Sequence, residues 1–101
     1  MSSFSTHVLD AAAGRPATGV PVTLTGADGT VLASGTTDDD GRWRAPESAA
    51  LTAGVLHRIT FTTPSPFFPE VSIAFRPEHT DRHHHVPLLL SPYSYSTYLG
   101  S

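Results

Sequence analysis

Proline and glycine recur along most of the chain, and their spacing limits it to short elements. The 101 residues include nine prolines and eight glycines. From Gly14 onward, one or the other returns too often for a helix of ordinary length. Residues 47–53 have room for one short helical turn. The sequence therefore predicts an all-β protein.

Eight segments have the length and the apolar patterning of strands, and turn-forming residues separate them. The predicted strands are 5–10, 20–25, 31–35, 42–44, 56–62, 70–75, 86–90 and 94–98. Short strands at this spacing are typical of a sandwich of two sheets. A chain of this length builds one core, so we expect a single domain over 1–101.

Composition excludes several classes of function. The net charge is −3 with only six Lys and Arg, so no basic patch is expected for nucleic acid or an anionic membrane. There is no cysteine for disulfides or thiolate metal sites. The first residues do not have the pattern of a signal peptide, and no apolar run approaches membrane-spanning length, so a cytoplasmic protein is expected. With 39% apolar and 15% charged residues, we also expect a protein partner to cover some apolar surface.

The segment 82–100 combines three histidines with a predicted hairpin. Its second half alternates serine and tyrosine after a Ser91-Pro92 corner. Because strand side chains alternate between faces, His83 and His85 share one face and His84 lies on the other. If the serine face of the last strand coincides with the His83 and His85 face, His85 lies in a polar groove near the end of the chain.

Two further residues are candidates for chemistry, namely His7 in the apolar first strand and Arg42 after the Asp38–Gly41 turn. A lone strand histidine is most often structural, but together with His85 it suggests acid–base catalysis. Three imidazoles, His7, His83 and His85, also fit a zinc site, and spacing alone does not separate the two hypotheses. The aspartate run lacks the distal glutamate of a calcium loop, so we interpret it as a turn that presents Arg42.

Five motifs together carry a family resemblance that covers nearly the whole chain. They are S-T-H-V-L-D at 5–10, G-R-P-A-T-G-V-P-V at 14–22, D-D-D-G-R at 38–42, F-F-P-E-V at 67–71 and H-H-H-V-P-L-L-L-S-P-Y-S-Y-S-T-Y-L-G-S at 83–101. With these motifs the chain resembles the transthyretin-related 5-hydroxyisourate hydrolases. The resemblance implies an eight-stranded transthyretin-like sandwich that assembles as a homotetramer, a dimer of dimers with a channel between them.

The resemblance also implies an activity and a site. The activity is hydrolysis of 5-hydroxyisourate to 2-oxo-4-hydroxy-4-carboxy-5-ureidoimidazoline in urate breakdown, with no metal or other cofactor. The implied catalytic residues are His7, Arg42 and His85; His7 and Arg42 would also bind substrate, with Tyr98 and Ser101 lining the pocket. The hormone-carrying transthyretins lack the His/Arg/His trio, so its presence favours the enzyme. Which histidine acts as the general base stays open.

Two departures from the family pattern are visible. Position 99 is leucine where the family has arginine, which removes a cation near the implied site. The family's short helix after the fifth strand is replaced by a proline-rich stretch at 63–69, so we expect a tight loop with no helix. Two alternatives remain: a non-catalytic protein that binds a small ligand in the channel, and a histidine-ligated zinc hydrolase.

Overall fold

A computed structural model describes residues 3–78 and 82–100. These residues form strands and connecting turns, with no helix among them, as the proline and glycine spacing predicts. None of the described segments is a helix long and apolar enough to cross a membrane. The strands are β1 (Ser3–Asp10), β2 (Arg15–Pro16), β3 (Pro21–Thr25), β4 (Val31–Thr36), β5 (Arg42–Arg44), β6 (His57–Thr62), β7 (Glu70–Phe75), β8 (His83–His85), β9 (Leu88–Ser91) and β10 (Ser94–Thr97).

The strands form two sheets, which confirms the predicted sandwich. The four-stranded sheet has the order β4-β3-β6-β7 and is antiparallel throughout. In the six-stranded sheet β1 is central: β2 and β5 pair antiparallel along one side of it, and β8 and β9 pair parallel along the other. Strand β10 pairs with β9 and forms the outer edge.

The C-terminal hairpin differs from the predicted one at its start. The expected strand 86–90 is observed as Leu88–Ser91, and the histidine triplet forms the separate strand β8. The break lies at Val86-Pro87, because proline has no N–H to donate to the ladder. The Thr6 hydroxyl donates to the Val86 carbonyl over 2.6 Å, which satisfies a buried acceptor at the interruption.

Apolar residues that alternate along both sheets form the core. In β1, Phe4, Thr6 and Val8 are completely buried, whereas the residues between them are only partly buried. Phe4 stacks on Phe75 of the opposite sheet with ring centroids 5.3 Å apart. Burying Phe4 stabilises the fold by roughly 1.5–3 kcal/mol on the usual scale for a large apolar side chain. This one-sided burial leaves Ser3, Ser5 and His7 on the outward face of the six-stranded sheet.

The segment 63–69 is a loop without helix, as expected from its prolines. The Ser65 hydroxyl accepts from the Phe68 N–H over 3.1 Å and donates to the Pro92 carbonyl over 3.1 Å. Phe68 also makes an edge contact with Tyr95, with ring centroids 5.3 Å apart. The loop is thereby attached to the C-terminal hairpin, and aromatic rings cover this end of the sandwich.

Candidate active site

The outward face of the six-stranded sheet brings the predicted catalytic trio together. In the β1–β5 ladder His7 is directly opposite Arg42. In the β1–β8 ladder Ser5 is directly opposite His85. Residues that are paired across a sheet point to the same face, so His7, Arg42 and His85 share it.

A tight acidic turn positions Arg42, as its interpretation as a turn predicts. The Asp38 carboxylate accepts from the Asp40 N–H and the Arg42 N–H, each over 2.9 Å. Gly41 has φ = 75°, and a Cβ there would lie 2.5 Å from the Val8 carbonyl oxygen. Only glycine fits this close approach to β1, so the turn delivers Arg42 beside His7.

The ring of His85 is held from two directions. Its Nδ1 lies 2.7 Å from the Ser5 hydroxyl. The returning C-terminal chain passes on another side, where the Gly100 N–H donates to the His85 carbonyl over 2.7 Å. A Cβ on Gly100 would lie 2.7 Å from the Cδ2 atom of His85, so the imidazole packs against a position without a side chain. With Nδ1 bonded to Ser5, Nε2 is the nitrogen left for chemistry.

The first histidine of the triplet is linked to His85 through the same hydroxyl. Nε2 of His83 lies 2.6 Å from Ser5 Oγ, and its Nδ1 lies 2.5 Å from Ser3 Oγ. The rings of His83 and His85 have centroids 6.4 Å apart and an interplanar angle of 22°. Ser5 therefore bridges two nearly parallel imidazoles.

Burial and nearby charges favour the neutral forms of His83 and His85. Burial, then the Arg42 guanidinium and His7, hold the pKa of His85 below its usual value of 6.5, and a hydrogen bond with the Ser5 backbone acts in the opposite direction. Burial, then Arg44 and the neighbouring histidines, likewise hold the pKa of His83 below 6.5. A neutral imidazole at pH 7 is the form that accepts a proton from water.

His7 contributes a ring nitrogen with unused hydrogen-bonding capacity. Its Nε2 is buried, and no hydrogen-bond partner for it is found among the described residues. Buried polar atoms without partners are uncommon, and a catalytic role is one of the explanations for them. The atom lies on the face that carries Arg42 and His85.

Tyr98 and Leu99 line a neighbouring groove of about 300 Å³ at the edge of the sandwich. Residues of β7 and the turn after it form its opposite wall, and His7, Arg42 and His85 are not part of its lining. Leu99 therefore lies beside the trio's face in a groove whose other walls include Ile73 and Phe75. Ser101 lies outside the described residues, so its predicted place in the pocket stays a prediction, as does a substrate contact by Tyr98.

The geometry does not assemble the three-imidazole set of the zinc hypothesis. Among residues 3–78 and 82–100, no group of three or more His, Cys, Asp and Glu side chains is arranged to hold a metal ion. Both nitrogens of His83 face serine hydroxyls instead.

Sequence reasoning missed Ser3, Ser5 and Gly100 as parts of the site. The signal was present as Ser-x-Ser at 3–5 and His-x-His at 83–85, two strands with the same period. This signal could not be interpreted from the sequence, because nothing in either segment alone shows that β1 pairs in parallel with β8, some 80 residues away.

Comparison with known proteins agrees with this architecture. The model of the HIUase/Transthyretin family matches residues 4–100. A 5-hydroxyisourate hydrolase of Salmonella dublin is 44% identical over 97% of this chain and 80% of its own. The structure of Klebsiella pneumoniae 5-hydroxyisourate hydrolase superposes with a TM-score of 0.84 at 36% identity and covers both chains completely. Sea bream transthyretin in complex with thyroxine gives a TM-score of 0.79 at 27% identity over 96% of this chain and 93% of its own. The chain belongs to the HIUase/Transthyretin family.

Proposed function

We propose that this protein is a 5-hydroxyisourate hydrolase. The observation that carries the proposal is the shared face of His7, Arg42 and His85, in which a guanidinium is directly opposite one imidazole and close enough to a second to lower its pKa. The similarity to hydrolases of that name in Salmonella and Klebsiella supports the same substrate. A fold alone does not establish an activity, so the trio carries more weight than the sandwich.

Hydrolysis of a cyclic ureide has three chemical requirements. A base must take a proton from water, the oxyanion that forms on the attacked carbonyl must be stabilised, and the leaving ring nitrogen must be protonated. The water supplies the hydroxyl that bonds to the carbonyl carbon and, through the base, the proton that reaches the nitrogen as the C–N bond breaks.

The residues of the face match these requirements. His85, held neutral and with Nε2 not engaged by Ser5, is suited to take the proton from water. Arg42 is suited to bind the substrate carbonyls and the developing negative charge with its planar fork. His7, whose buried Nε2 has no hydrogen-bond partner within residues 3–78 and 82–100, is suited to orient the substrate or to exchange a proton with it. The roles of Tyr98 and Ser101 in bounding the pocket belong to the same proposal.

The direct test follows the absorbance of freshly generated 5-hydroxyisourate. We expect the protein to accelerate its loss well above the rate in buffer, and to do so equally after exhaustive dialysis against a metal chelator. Loss of activity on dialysis that added zinc restores would support the zinc hypothesis instead. A rate equal to that of buffer would refute the proposed function.

We infer in addition that the chain assembles as a homotetramer, a dimer of dimers. Strand β10 is an exposed sheet edge, and an uncovered edge is a template for pairing with another chain. Large exposed apolar side chains concentrate beside it, at Tyr93, Tyr95, Tyr98 and Leu99. Light scattering coupled to size exclusion should give four times the 10.7 kDa chain mass, and a monomer mass at assay concentrations would contradict the inference.

A further inference from the structure

We propose that Ser5 and His83 are positioning residues that control which nitrogen of His85 carries a proton. In this proposal the Ser5 hydroxyl couples the two imidazoles into one proton relay that leads from the site to solvent. The proposal rests on the proposed hydrolase function, since it assigns a role to neighbours of its candidate base.

The relay follows from the register of two strands. Parallel pairing places Ser3 opposite His83 and Ser5 opposite His85, so two hydroxyls and two imidazoles alternate on one face. The successive contacts measure 2.7 Å from His85 Nδ1 to Ser5 Oγ, 2.6 Å from Ser5 Oγ to His83 Nε2, and 2.5 Å from His83 Nδ1 to Ser3 Oγ. All three are within hydrogen-bonding distance, so the chain of contacts is unbroken.

Proton counting makes the two rings interdependent. A serine hydroxyl has a single proton to donate, although it has two lone pairs that accept. Ser5 Oγ therefore donates to one of its two nitrogen neighbours and must accept an N–H from the other. When His85 has its proton on Nδ1, Ser5 donates to the bare Nε2 of His83, and His83 has its own proton on Nδ1. When His83 has its proton on Nε2, Ser5 donates to Nδ1 of His85, whose proton is then on Nε2.

Only the first arrangement leaves Nε2 of His85 bare and able to act as a base. In that arrangement His85 Nε2 takes a proton from the attacking water, and the Nδ1 proton then passes to Ser5 as the Ser5 proton passes to His83 Nε2. The proton on His83 Nδ1 leaves toward Ser3 and solvent. His85 ends neutral with its proton on Nε2. As this proton passes to the leaving nitrogen, a proton returns from solvent through Ser3, His83 and Ser5 to His85 Nδ1, which keeps His85 neutral and restores the first arrangement.

His83 is suited to the outer end of this relay. Its side chain is more exposed than that of His85, so protons exchange with solvent there. Arg44 lies opposite Ser5 on β5, and partial burial followed by this guanidinium keeps the pKa of His83 below 6.5. Among the described residues, the other titratable or charged groups near His83 are His84 and His85 on its own strand and, along the adjoining groove, Arg76, Glu78, Arg82 and Tyr98.

A charged His83 would switch the base off. With protons on both nitrogens, His83 must donate from Nε2 to Ser5, which then donates to Nδ1 of His85 and forces the His85 proton onto Nε2. Arg44 opposes this by disfavouring the His83 cation. By keeping His83 neutral, Arg44 therefore preserves the form of His85 in which Nε2 is bare and can act as a base.

The first test changes the bridging hydroxyl. Ser5→Ala should lower kcat about 10- to 100-fold with little change in KM, the usual effect of removing a group that orients a functional histidine. Ser5→Thr keeps the hydroxyl and should restore kcat to within about threefold, since threonine suits a strand. Ser72→Ala on β7 is the matched control, because it removes an exposed strand hydroxyl with one serine–threonine contact. If Ser5→Thr were as impaired as Ser5→Ala while both retained the parent's Tm, the relay would be refuted.

The second test reads the protons directly and needs no substrate. Nitrogen-15 NMR of the imidazoles should show His83 and His85 both protonated on Nδ1 at neutral pH, with His85 shifting toward the Nε2–H tautomer in Ser5→Ala. Arg44→Gln should move the acidic limb of kcat/KM to higher pH, because His83 then charges more easily. An unchanged His85 tautomer in Ser5→Ala, or an unmoved limb in Arg44→Gln, would overturn the proposal. Failure of the proposed function would appear differently, as no substrate turnover by a parent protein whose tautomers remain coupled.

Discussion

The outward faces of the two sheets are built by the same alternation but differ in what they can do. On the four-stranded sheet, Thr23, Thr60 and Ser72 form a row across β3, β6 and β7, and Thr60 Oγ1 lies 3.2 Å from Ser72 Oγ. On the six-stranded sheet, the corresponding hydroxyl of Ser5 lies between two imidazoles.

The difference is one of titration. Neither hydroxyl titrates near neutral pH, and a hydrogen bond between two of them adds roughly 0.5–1.5 kcal/mol of stability. An imidazole titrates near neutrality, and burial followed by the nearby arginine lowers the pKa of both His83 and His85. A polar strand face is thus ordinarily only solvated. It can become a catalytic site where strand pairing places titratable rings, hydroxyls and guanidinium groups next to one another.

The largest expected effect on the outward face of the six-stranded sheet is that of replacing His85. His85→Asn should reduce kcat/KM by about 10²- to 10⁴-fold, the range associated with losing a general base. The stopped-flow decay of 5-hydroxyisourate absorbance measures this effect, with circular dichroism to verify the fold. Activity within tenfold of the parent would remove His85 from the role of base.

A matched pair of arginines separates the two faces. Arg42→Gln should cost about 10²- to 10³-fold in kcat/KM, as for loss of an oxyanion partner. Arg58→Gln, on an exposed position of β6, should stay within about twofold, as for surface changes away from a site. Equal effects of the two substitutions would mean that the face of Arg42 is not special.

The Arg42→Gln variant also tests whether Arg42 contributes to the lowered pKa of His85. In the parent the acidic limb of kcat/KM should lie below pH 6.5, because burial and Arg42 disfavour the imidazolium. Removing the cation in Arg42→Gln raises the pKa of His85, so the limb of the residual activity should move to higher pH. A limb that moves to lower pH would contradict a contribution of His85 to it.

Gly100→Ala tests whether the packing of the C-terminal segment against the His85 ring matters for activity. The added Cβ would meet Cδ2 of His85 at 2.7 Å, so the imidazole must turn away from its Ser5 hydrogen bond. We expect kcat to fall about 10- to 100-fold, because small misplacements of a catalytic group are costly. Gly26→Ala is the control, since its nearest neighbour, an Asp28 oxygen, lies at 3.6 Å. A Gly100→Ala enzyme as active as the Gly26→Ala enzyme would show that this packing is irrelevant.

The smallest expected effect is at position 99. Leu99 lines the groove at the edge of the sandwich rather than the face of the trio. We therefore expect Leu99→Arg to change kcat/KM by no more than about twofold, as for other changes away from the chemistry. A gain of tenfold or more in the absorbance assay would mean that an arginine at position 99, as in the family, takes part in the reaction.

The prediction of the fold succeeded where local patterns decide structure. Proline and glycine spacing excluded long helices, and period-two burial separated His84 from His83 and His85. The strand ends were less predictable: β8 and β9 are separate because Pro87 cannot donate to the β1 ladder, an effect that depends on which strand lies alongside. The loop 63–69 was expected to lack a helix, but its attachment through Ser65 to the C-terminal hairpin was not.

For the site, the chemical types could be predicted from the sequence: the imidazoles of His7 and His85, the guanidinium of Arg42, and the shared face of His83 and His85. Their neighbours could not, because they depend on how distant strands pair. Parallel pairing of β1 with β8 placed Ser5 between His83 and His85, and the return of the chain placed Gly100 against the His85 ring. The physical reason is that alternation along a strand is a local property of the backbone, whereas register between strands distant in sequence is set by packing the whole core.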